Sequence, residues 1–479
     1  MSPLDTGLAE SCQIEGVTVD FPMYSSEMPA MIQIKLHNTR TRRREAFTPI
    51  NPGHVKVYVC GPTVYDRAHL GNARPVVVFD VLIRLLRALY QRVTYVRNIT
   101  DVDDKINARF METGEPISAI TTRTTQWFHD DMEALGALPP DVEPRATAHI
   151  PEIIAIIQRL IQGGHAYEAQ GHVLFAVDSD PNYGKFSGRS TDQLIAGARV
   201  EVAPYKRAAG DFVLWKPSPD ELPGWDSPWG RGRPGWHIEC SAMSWKHLGT
   251  DFDIHGGGSD LIFPHHENEI AQSTCAFPGS HFARYWVHNA MLLVNGEKMS
   301  KSRGNFLTVE EVLRRVPGEV FRFLLLKTHY RSTLDFTDSA IAEAKRELDR
   351  FYRALEVHSA VKPAEVVSDV FLAALADDLN TPAAIAALHR FAEAALAGDA
   401  EAAASLKAAG SMLGILSQAP SAWFSDGIDQ TTLHKLVVAR NAARERRDYA
   451  EADRIRSEIE SRGIVIEDGP NNSYTLRKR

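Results

Sequence analysis

The sequence predicts an α/β protein. A Rossmann-like parallel-sheet domain carries an inserted α+β subdomain, and an α-helical bundle and a small C-terminal domain follow. Three observations predict this. A strand–loop–helix–strand succession occupies residues 55–96, a Pro- and Gly-rich stretch from Pro217 to Gly235 closes an irregular block, and beyond Thr308 the chain turns helical with no strand signal. A length of 479 residues fits about three domains.

Residues 1–30 are polar and patternless and are expected to be disordered, with Met31 an alternative start. The alternation Ile32, Ile34, Leu36 reads as a strand. Val55–Cys60 is a second strand, broken by Gly61-Pro62. A helix follows from about Ala73 to Tyr90, then a strand at Val93–Val96. That order is a βαβ unit, so the sheet is parallel and ligands belong at the carboxyl ends of its strands. The whole sheet domain is placed at 31–307, with the insertion at about 125–225. The insertion holds a helix (Ile150–Ile161) and short strands such as Val173–Val177. Residues 308–420 form a linker and helical bundle, Ala-rich from Phe371 to Leu416. Residues 425–479 form the small terminal domain, a charged helical pair ending at Gly463 and a hairpin around Gly469-Pro470-Asn471-Asn472.

Composition narrows the class. The 44% apolar and 24% charged content is that of an ordinary globular protein. No apolar run approaches the roughly 20 residues that cross a bilayer, and Met1–Ala30 lacks the basic and apolar regions of a secretory signal. The expectation is a cytoplasmic protein with no membrane partner. Four cysteines in so long a chain are no disulfide framework, and Cys12 and Cys275 have no companions at ligand spacing. A net charge of −8 argues against indiscriminate coating of nucleic acid, while leaving room for an RNA held by local basic surface.

Cys60, Cys240, His265 and Glu269 form a candidate metal site. His265 and Glu269 are four apart, so on a helix they share a face and reach one ion. His266 would need an acid at position 270, which is Ile, so His265 is the better candidate. Two thiolates, an imidazole and a carboxylate suit Zn²⁺. Spacing alone favours two buried cysteines and a helix-surface His–Glu pair, and it is the flanking strings that reverse this.

Two strings bracket that site. His69-Leu70-Gly71-Asn72 opens a helix, where free backbone N–H groups favour phosphate. Lys298-Met299-Ser300-Lys301-Ser302 offers lysines that neutralise charge on a triphosphate. Taken singly, each is also a common turn or a solvated basic loop.

Together these strings make the chain resemble the class I aminoacyl-tRNA synthetases, and within them the cysteinyl-tRNA synthetase family. The carrying residues are Cys60-Gly61-Pro62-Thr63-Val64-Tyr65-Asp66, the His69–Asn72 string, Asn98–Lys105, Gly235–Met243, Phe263–Glu269 and the lysine pentapeptide. The likeness runs from about Ile32 to the C-terminus and is strong through Asn305. It implies zinc on Cys60, Cys240, His265 and Glu269, one ion per chain. It also implies ATP with Mg²⁺ at Pro62, His69, Gly71, Asn72 and Lys301, with His69, Asn72, Lys298 and Lys301 as catalytic residues. Thr100 and Trp236 resemble residues lining the cysteine pocket, and Asp260 holds substrate or ribose, or is simply a turn aspartate. Two departures stand out. The signature ends in Asn72 where many class I enzymes have His, and the tail Ser473–Arg477 lacks an expected tryptophan.

The resemblance further implies two steps, activation of L-cysteine to cysteinyl-adenylate and transfer to the terminal 2′-hydroxyl of tRNA(Cys), by a protein expected to be a monomer. Positioning and charge stabilisation supply the rate. Arg440, Arg444, Arg446, Arg447, Arg454, Arg456, Arg462, Arg477, Lys478 and Arg479 either meet tRNA or pair with the interleaved acids. Two rivals remain at this stage, a ligase passing cysteinyl-adenylate to an amino sugar and a non-catalytic RNA-binding paralogue.

Overall fold

The computed structural model describes residues 32–189, 203–300, 304–425, 430–461, 464–468 and 474–478. The expectations for residues 1–30, Lys301 and the Gly469–Asn472 turn lie outside them. Two compact units emerge. The first runs to Lys345 and includes Glu365–Ala387 and Met412–Ile415, and the second holds Arg346–Ala364, Leu388–Ser411 and the chain from Leu416.

The first unit opens on a hairpin, β1 (Lys35–Asn38) antiparallel to β2 (Arg43–Ala46). The second of these strands escapes the sequence pattern because Arg-Arg-Glu-Ala is largely exposed and shows no apolar alternation. Strand β3 (His54–Val59), helix α1 (Leu70–Leu89) and strand β4 (Arg92–Arg97) make the expected βαβ unit, with β3 parallel to β4. Two helices, α2 (Asp104–Thr113) and α3 (Ile117–Ala134), lead to α4 (Ile150–Gln162).

The insertion contains an antiparallel sheet in the order β5 (Ala166–Ala169), β6 (His172–Phe175), β7 (Phe212–Pro217), β8 (Gly232–Pro234). Helix α5 (Trp236–Leu248) then returns the chain to strand β9 (Asp251–Gly258), helix α6 (Glu267–Ala276) and strand β10 (Phe282–Asn289). The central sheet is parallel, in the order β10-β9-β3-β4. Strand β3 connects to β4 on one side while β9 connects to β10 on the other. The carboxyl ends of β3 and β9 therefore flank a topological switch point, where open parallel sheets bind ligands.

One apolar cluster joins the two parts of this unit. Ile153, Ile156, Ile157 and Leu160 of α4 pack with Val173, Phe175, Leu214 and Trp215 of the inserted sheet, and with Ile238, Ala242 and Ala271 from α5 and α6. The insertion thus buttresses the two helices that carry the candidate metal ligands Cys240 and Glu269. Helix α1 is buried along nearly its whole middle, polar residues included. Asp80 there accepts from Arg84 Nε at 2.8 Å and from the Leu138 N–H at 2.8 Å, and it pairs with Arg322. Arg322 also donates to the carbonyls of Leu413 (2.6 Å) and Leu135 (3.1 Å).

A small sheet follows, in the order β12 (Glu297–Lys298), β11 (Leu292–Val294), β13 (Leu334–Phe336), with β11 parallel to β13. The strand at 334–336 corrects the expectation of no strand beyond Thr308. Three residues, Leu-Asp-Phe, are too short a run to show a period of two. Helices α7 (Val309–Leu313), α8 (Gly318–Lys327), α9 (Asp338–Val357), α10 (Asp369–Ala376), α11 (Thr381–Leu396), α12 (Ala400–Met412) and α13 (Pro420–Ser425) give the expected helical region.

In the second unit, helices α14 (Gln430–Glu445) and α15 (Tyr449–Ser461) pack with the hairpin β14 (Ile464–Asp468) and β15 (Tyr474–Lys478). Their core is Val437, Ile455, Ile459, Ile464 and Ile466. Arg454 pairs with Glu451 at 2.8 Å and Arg456 with Glu460 at 3.1 Å, the intrahelical alternative foreseen for these residues. Arg440 is buried, so it offers no surface contact in this structure.

Candidate metal and nucleotide site

Cys60 lies one residue past β3, where its N–H still donates to Gly256 O of β9 at 3.1 Å. The next residue must be glycine: a Cβ on Gly61 would sit 1.7 Å from Asn98 O. Gly61 N–H donates to Asn98 Oδ1 at 2.9 Å, and Asn98 Nδ2 donates to Thr100 Oγ1 at 3.2 Å. The backbones of Pro62 and Thr100 also pair, at 3.0 Å. The Cys60–Pro62 turn and buried Thr100 are thus fixed side by side.

Cys240 comes from the second turn of α5, Glu269 from the first turn of α6, and His265 from the turn just before α6. Their donor atoms and Cys60 Sγ all lie within 4.8 Å of one another. Cys60 Sγ is 3.8 Å from Cys240 Sγ and 3.6 Å from Glu269 Oε1, and His265 Nε2 is 3.0 Å from the same oxygen. The four residues singled out from the sequence converge.

Two histidines that the sequence reading left aside belong to the same centre. His255 Nε2 meets Glu269 Oε2 at 2.8 Å. His266 Nε2 lies 3.4 Å from Cys60 Sγ and 3.9 Å from Glu269 Oε1. With Cys60 and Glu269 they form a second donor group, and because both groups share those two residues they describe one centre. His266 was set aside for want of an acid four residues on. A carboxylate three residues on shares a helix face as well, and Glu269 takes both histidines.

Surrounding groups set the charge of these donors. The contact with Cys60 Sγ, aided by His265 and opposed by burial, holds the Cys240 thiol down at about 6. Burial, with the Cys240 contact, pushes the Cys60 thiol up. Glu269 is desolvated, yet His255 and His265 outweigh that and hold it at about 2. His265 is desolvated too, and Glu269 and Cys240 raise it to about 10. Two sulfurs, an imidazole and a carboxylate within one bond's reach can hold a single borderline-soft metal ion. His237 Nδ1 sits 2.9 Å from His265 Nδ1, leaving Nε2 directed at the centre. Trp236 packs against one ligand of the cluster, its ring 4.4 Å from that of His265.

The nucleotide strings lie at the first turn of α1. His69 is the N-cap: its Nδ1 accepts from Gly71 N–H at 3.1 Å, and its own N–H donates to Asn72 Oδ1 at 3.0 Å. Asn72 therefore closes a capping box. A Cβ on Gly71 would meet the His69 ring at 2.9 Å, so glycine lets that ring fold over the helix start. Met299 of the lysine string stands 4.0 Å from the same Cβ position, and Leu70 N–H donates to Leu307 O at 3.2 Å. The two strings therefore meet, with Lys298 exposed at the end of β12. Asp260 is exposed in the turn after β9, and Lys301 lies outside the described residues.

A parallel sheet with a helix-opening turn at its switch point is the frame of a class I synthetase. Residues 46–346 match the model of the tRNA synthetases class I (C) catalytic domain, residues 370–419 the DALR domain, and residues 430–474 the cysteinyl-tRNA ligase anticodon binding domain. The chain belongs to the cysteine–tRNA ligase family. It is 67% identical over 448 residues to the cysteine–tRNA ligase of Acidiphilium cryptum, covering 93% of this chain and 100% of the relative. Identity to the cysteine–tRNA ligase of Granulibacter bethesdensis is 62% over 447 residues, covering 92% and 95%. Mycobacterium tuberculosis methionyl-tRNA synthetase in complex with methionyl-adenylate shares the fold, with a TM-score of 0.52 at 17% identity over 80% of this chain and 85% of that one. Among the described residues no helix is long and apolar enough to cross a membrane.

Proposed function

We propose that this chain activates L-cysteine with ATP and transfers the cysteinyl group to the 3′-terminal ribose of tRNA(Cys), with one zinc ion on Cys60, Cys240, His265 and Glu269 reading the substrate thiol. The observation that carries the zinc reading is the convergence of those four donors within 4.8 Å beside Trp236. Zinc bound there would supply a soft Lewis acid that takes a thiolate in preference to a hydroxyl.

The chain's own groups do the remaining work. Trp236, packed against the His265 ring, would line the pocket for the cysteine side chain. His255 and His237 hold Glu269 and His265 in their ligating orientations. At the nucleotide end, Nδ1 of His69 is already an acceptor from Gly71, so its neutral ring carries the proton on Nε2, the atom suited to donate to a phosphoryl oxygen. The first turn of α1 adds the positive end of the helix dipole. Lys298 and Lys301 meet charge on the triphosphate, which enters with Mg²⁺. No protein nucleophile is required: the cysteine carboxylate attacks the α-phosphate and pyrophosphate leaves, so orientation and fixed charge provide the rate. The region matching the anticodon binding domain supports tRNA as the acceptor over an amino sugar.

Metal analysis of the purified full chain is expected to find about one zinc per chain, the count set by a single four-donor centre. Chelation should abolish cysteine-dependent ATP–pyrophosphate exchange while ATP still binds, and added zinc should restore exchange. Full exchange by a zinc-free chain would contradict the zinc reading.

A further inference from the structure

Arg74 is among the largest fully buried side chains of the molecule, one turn into α1 beyond the His69–Asn72 string. No carboxylate pairs with it among the described residues. Its guanidinium instead gathers backbone carbonyls from two separate segments. Nη1 donates to Ala290 O at 2.8 Å and to Met291 O at 2.6 Å, and Nη2 donates to Ser332 O at 2.6 Å and to His329 O at 3.4 Å. Burial lowers its pKa to about 10, which leaves it charged at neutral pH.

Those carbonyls have a particular address. Met291 is the residue before β11, and β11 pairs with β12, which ends in Lys298. Ala290 N–H is in turn held by Tyr330 O at 2.8 Å. On the return side of the lysine string, Leu70 N–H reaches Leu307 O, and Val309 N–H reaches Ala68 O at 2.9 Å. The segment carrying Lys298 is therefore tied at its entry and at its exit to the turn that presents His69. The exit ties are ordinary backbone bonds, whereas at the entry the Arg74 guanidinium takes the carbonyls of Ala290 and Met291, the latter also accepting from Leu334 N–H at 3.4 Å.

We propose that Arg74 is a positioning residue for adenylate formation, which sets the Lys298 hairpin against the His69 turn through the carbonyls of Ala290 and Met291. This rests on the reading of Lys298 as a phosphate contact. Five donors in a rigid plane suit a role that asks for several carbonyls in fixed directions. A lysine offers one ammonium and can satisfy only part of the set. The reacting geometry tolerates little displacement, since a shift of about 1 Å costs on the order of 100-fold in rate.

The test is a cycle on the full-length, zinc-loaded chain: Arg74→Met and Arg74→Lys, each in the native background and in Lys298→Ala, read by cysteine-dependent ATP–pyrophosphate exchange. In the native background Arg74→Met should lower kcat by about 10- to 100-fold, with KM for cysteine and bound zinc essentially unchanged. Arg74→Lys should recover part of the loss. In the Lys298→Ala background the same substitutions should cost less than about threefold, because residues acting as one unit are not additive. Equal losses in both backgrounds would overturn the assignment, as would a kcat loss matched by a loss of zinc or of cysteine affinity. If Arg74→Met does not fold, the Arg74→Lys arm decides on the same criteria. Full activity of Lys298→Ala alone would instead remove the phosphate reading of Lys298, and the role of Arg74 with it. Failure of the native chain to support any exchange would overturn the proposed function itself.

Discussion

Cys240→Ser is expected to lower cysteine-dependent ATP–pyrophosphate exchange by about 100-fold or more, since changes in the groups that merely orient metal ligands already cost 10- to 100-fold. ATP binding, measured on the same protein, should be nearly unchanged. The sulfur of Cys240 is the most acidic thiol of the centre, held at about 6 by Cys60 and His265. A serine hydroxyl at this position stays protonated and is a poor ligand for a soft cation, so a zinc ion proposed for this centre would be lost or mis-seated. The nucleotide strings are built from other elements, at the first turn of α1 and the β11–β12 hairpin, and lose nothing directly. Equal losses of exchange and of ATP binding would contradict the sulfur-reading role and point to a general collapse of the domain.

The second large effect concerns stability. Asp80→Asn removes the single carboxylate shared by Arg84 and Arg322, both of which are buried. Leaving a buried charge without its partner costs about 3–5 kcal/mol, and here two guanidinium groups lose the same anion. Arg322 would keep its bonds to the carbonyls of Leu413 and Leu135 and the more remote charge of Glu319. A fall of that size in the urea unfolding of the catalytic unit is expected, and a change below about 1 kcal/mol, the range of an exposed pair, would contradict it. The pH dependence has a definite sign. Although burial opposes it, Arg322 and Arg84 lower the Asp80 pKa from 3.8. Its stabilisation is therefore fully present above 3.8 and is lost as pH falls through the lower folded value. The Asn variant should lack this component of acid sensitivity.

Much of the architecture can be read directly from residue patterns. Val55–Val59 and the Val- and Leu-rich stretch of α1 are dominated by apolar residues because a parallel strand and a central helix are both covered on both faces, and that is how they look in the sequence. The exposed strand Arg43–Ala46 and the three-residue strand Leu334–Phe336 carry no such signature, since neither has a long run facing a core. The metal donors show the other limit. Cys60 and Cys240 are 180 residues apart, so nothing local joins them, and recognition came from the strings around them. His255 stayed hidden because a helical spacing rule sees only neighbours on one helix, whereas His266 was set aside because an acid was sought four residues on and Glu269 stands three residues on. The partner of His255 is fourteen residues away, across the switch point of the sheet. Asn72, expected at the ATP site, has its side-chain oxygen closing the capping box of α1, a local role that its place three residues after His69 could have signalled. Arg74 gave no signal either, because a side chain that serves backbone carbonyls leaves no complementary residue to find.

Transfer of labelled cysteine onto bacterial tRNA, dependent on ATP and challenged with serine, tests the central claim most directly. A pocket working by shape alone separates isosteric substrates by about 100-fold at best, so serine in about 1,000-fold excess is the deciding condition. A thiol-reading zinc centre predicts cysteine charging that is unaffected by that excess, with no serine joined to the tRNA. Charging that falls in proportion to added serine, or serine found on the tRNA, would contradict it.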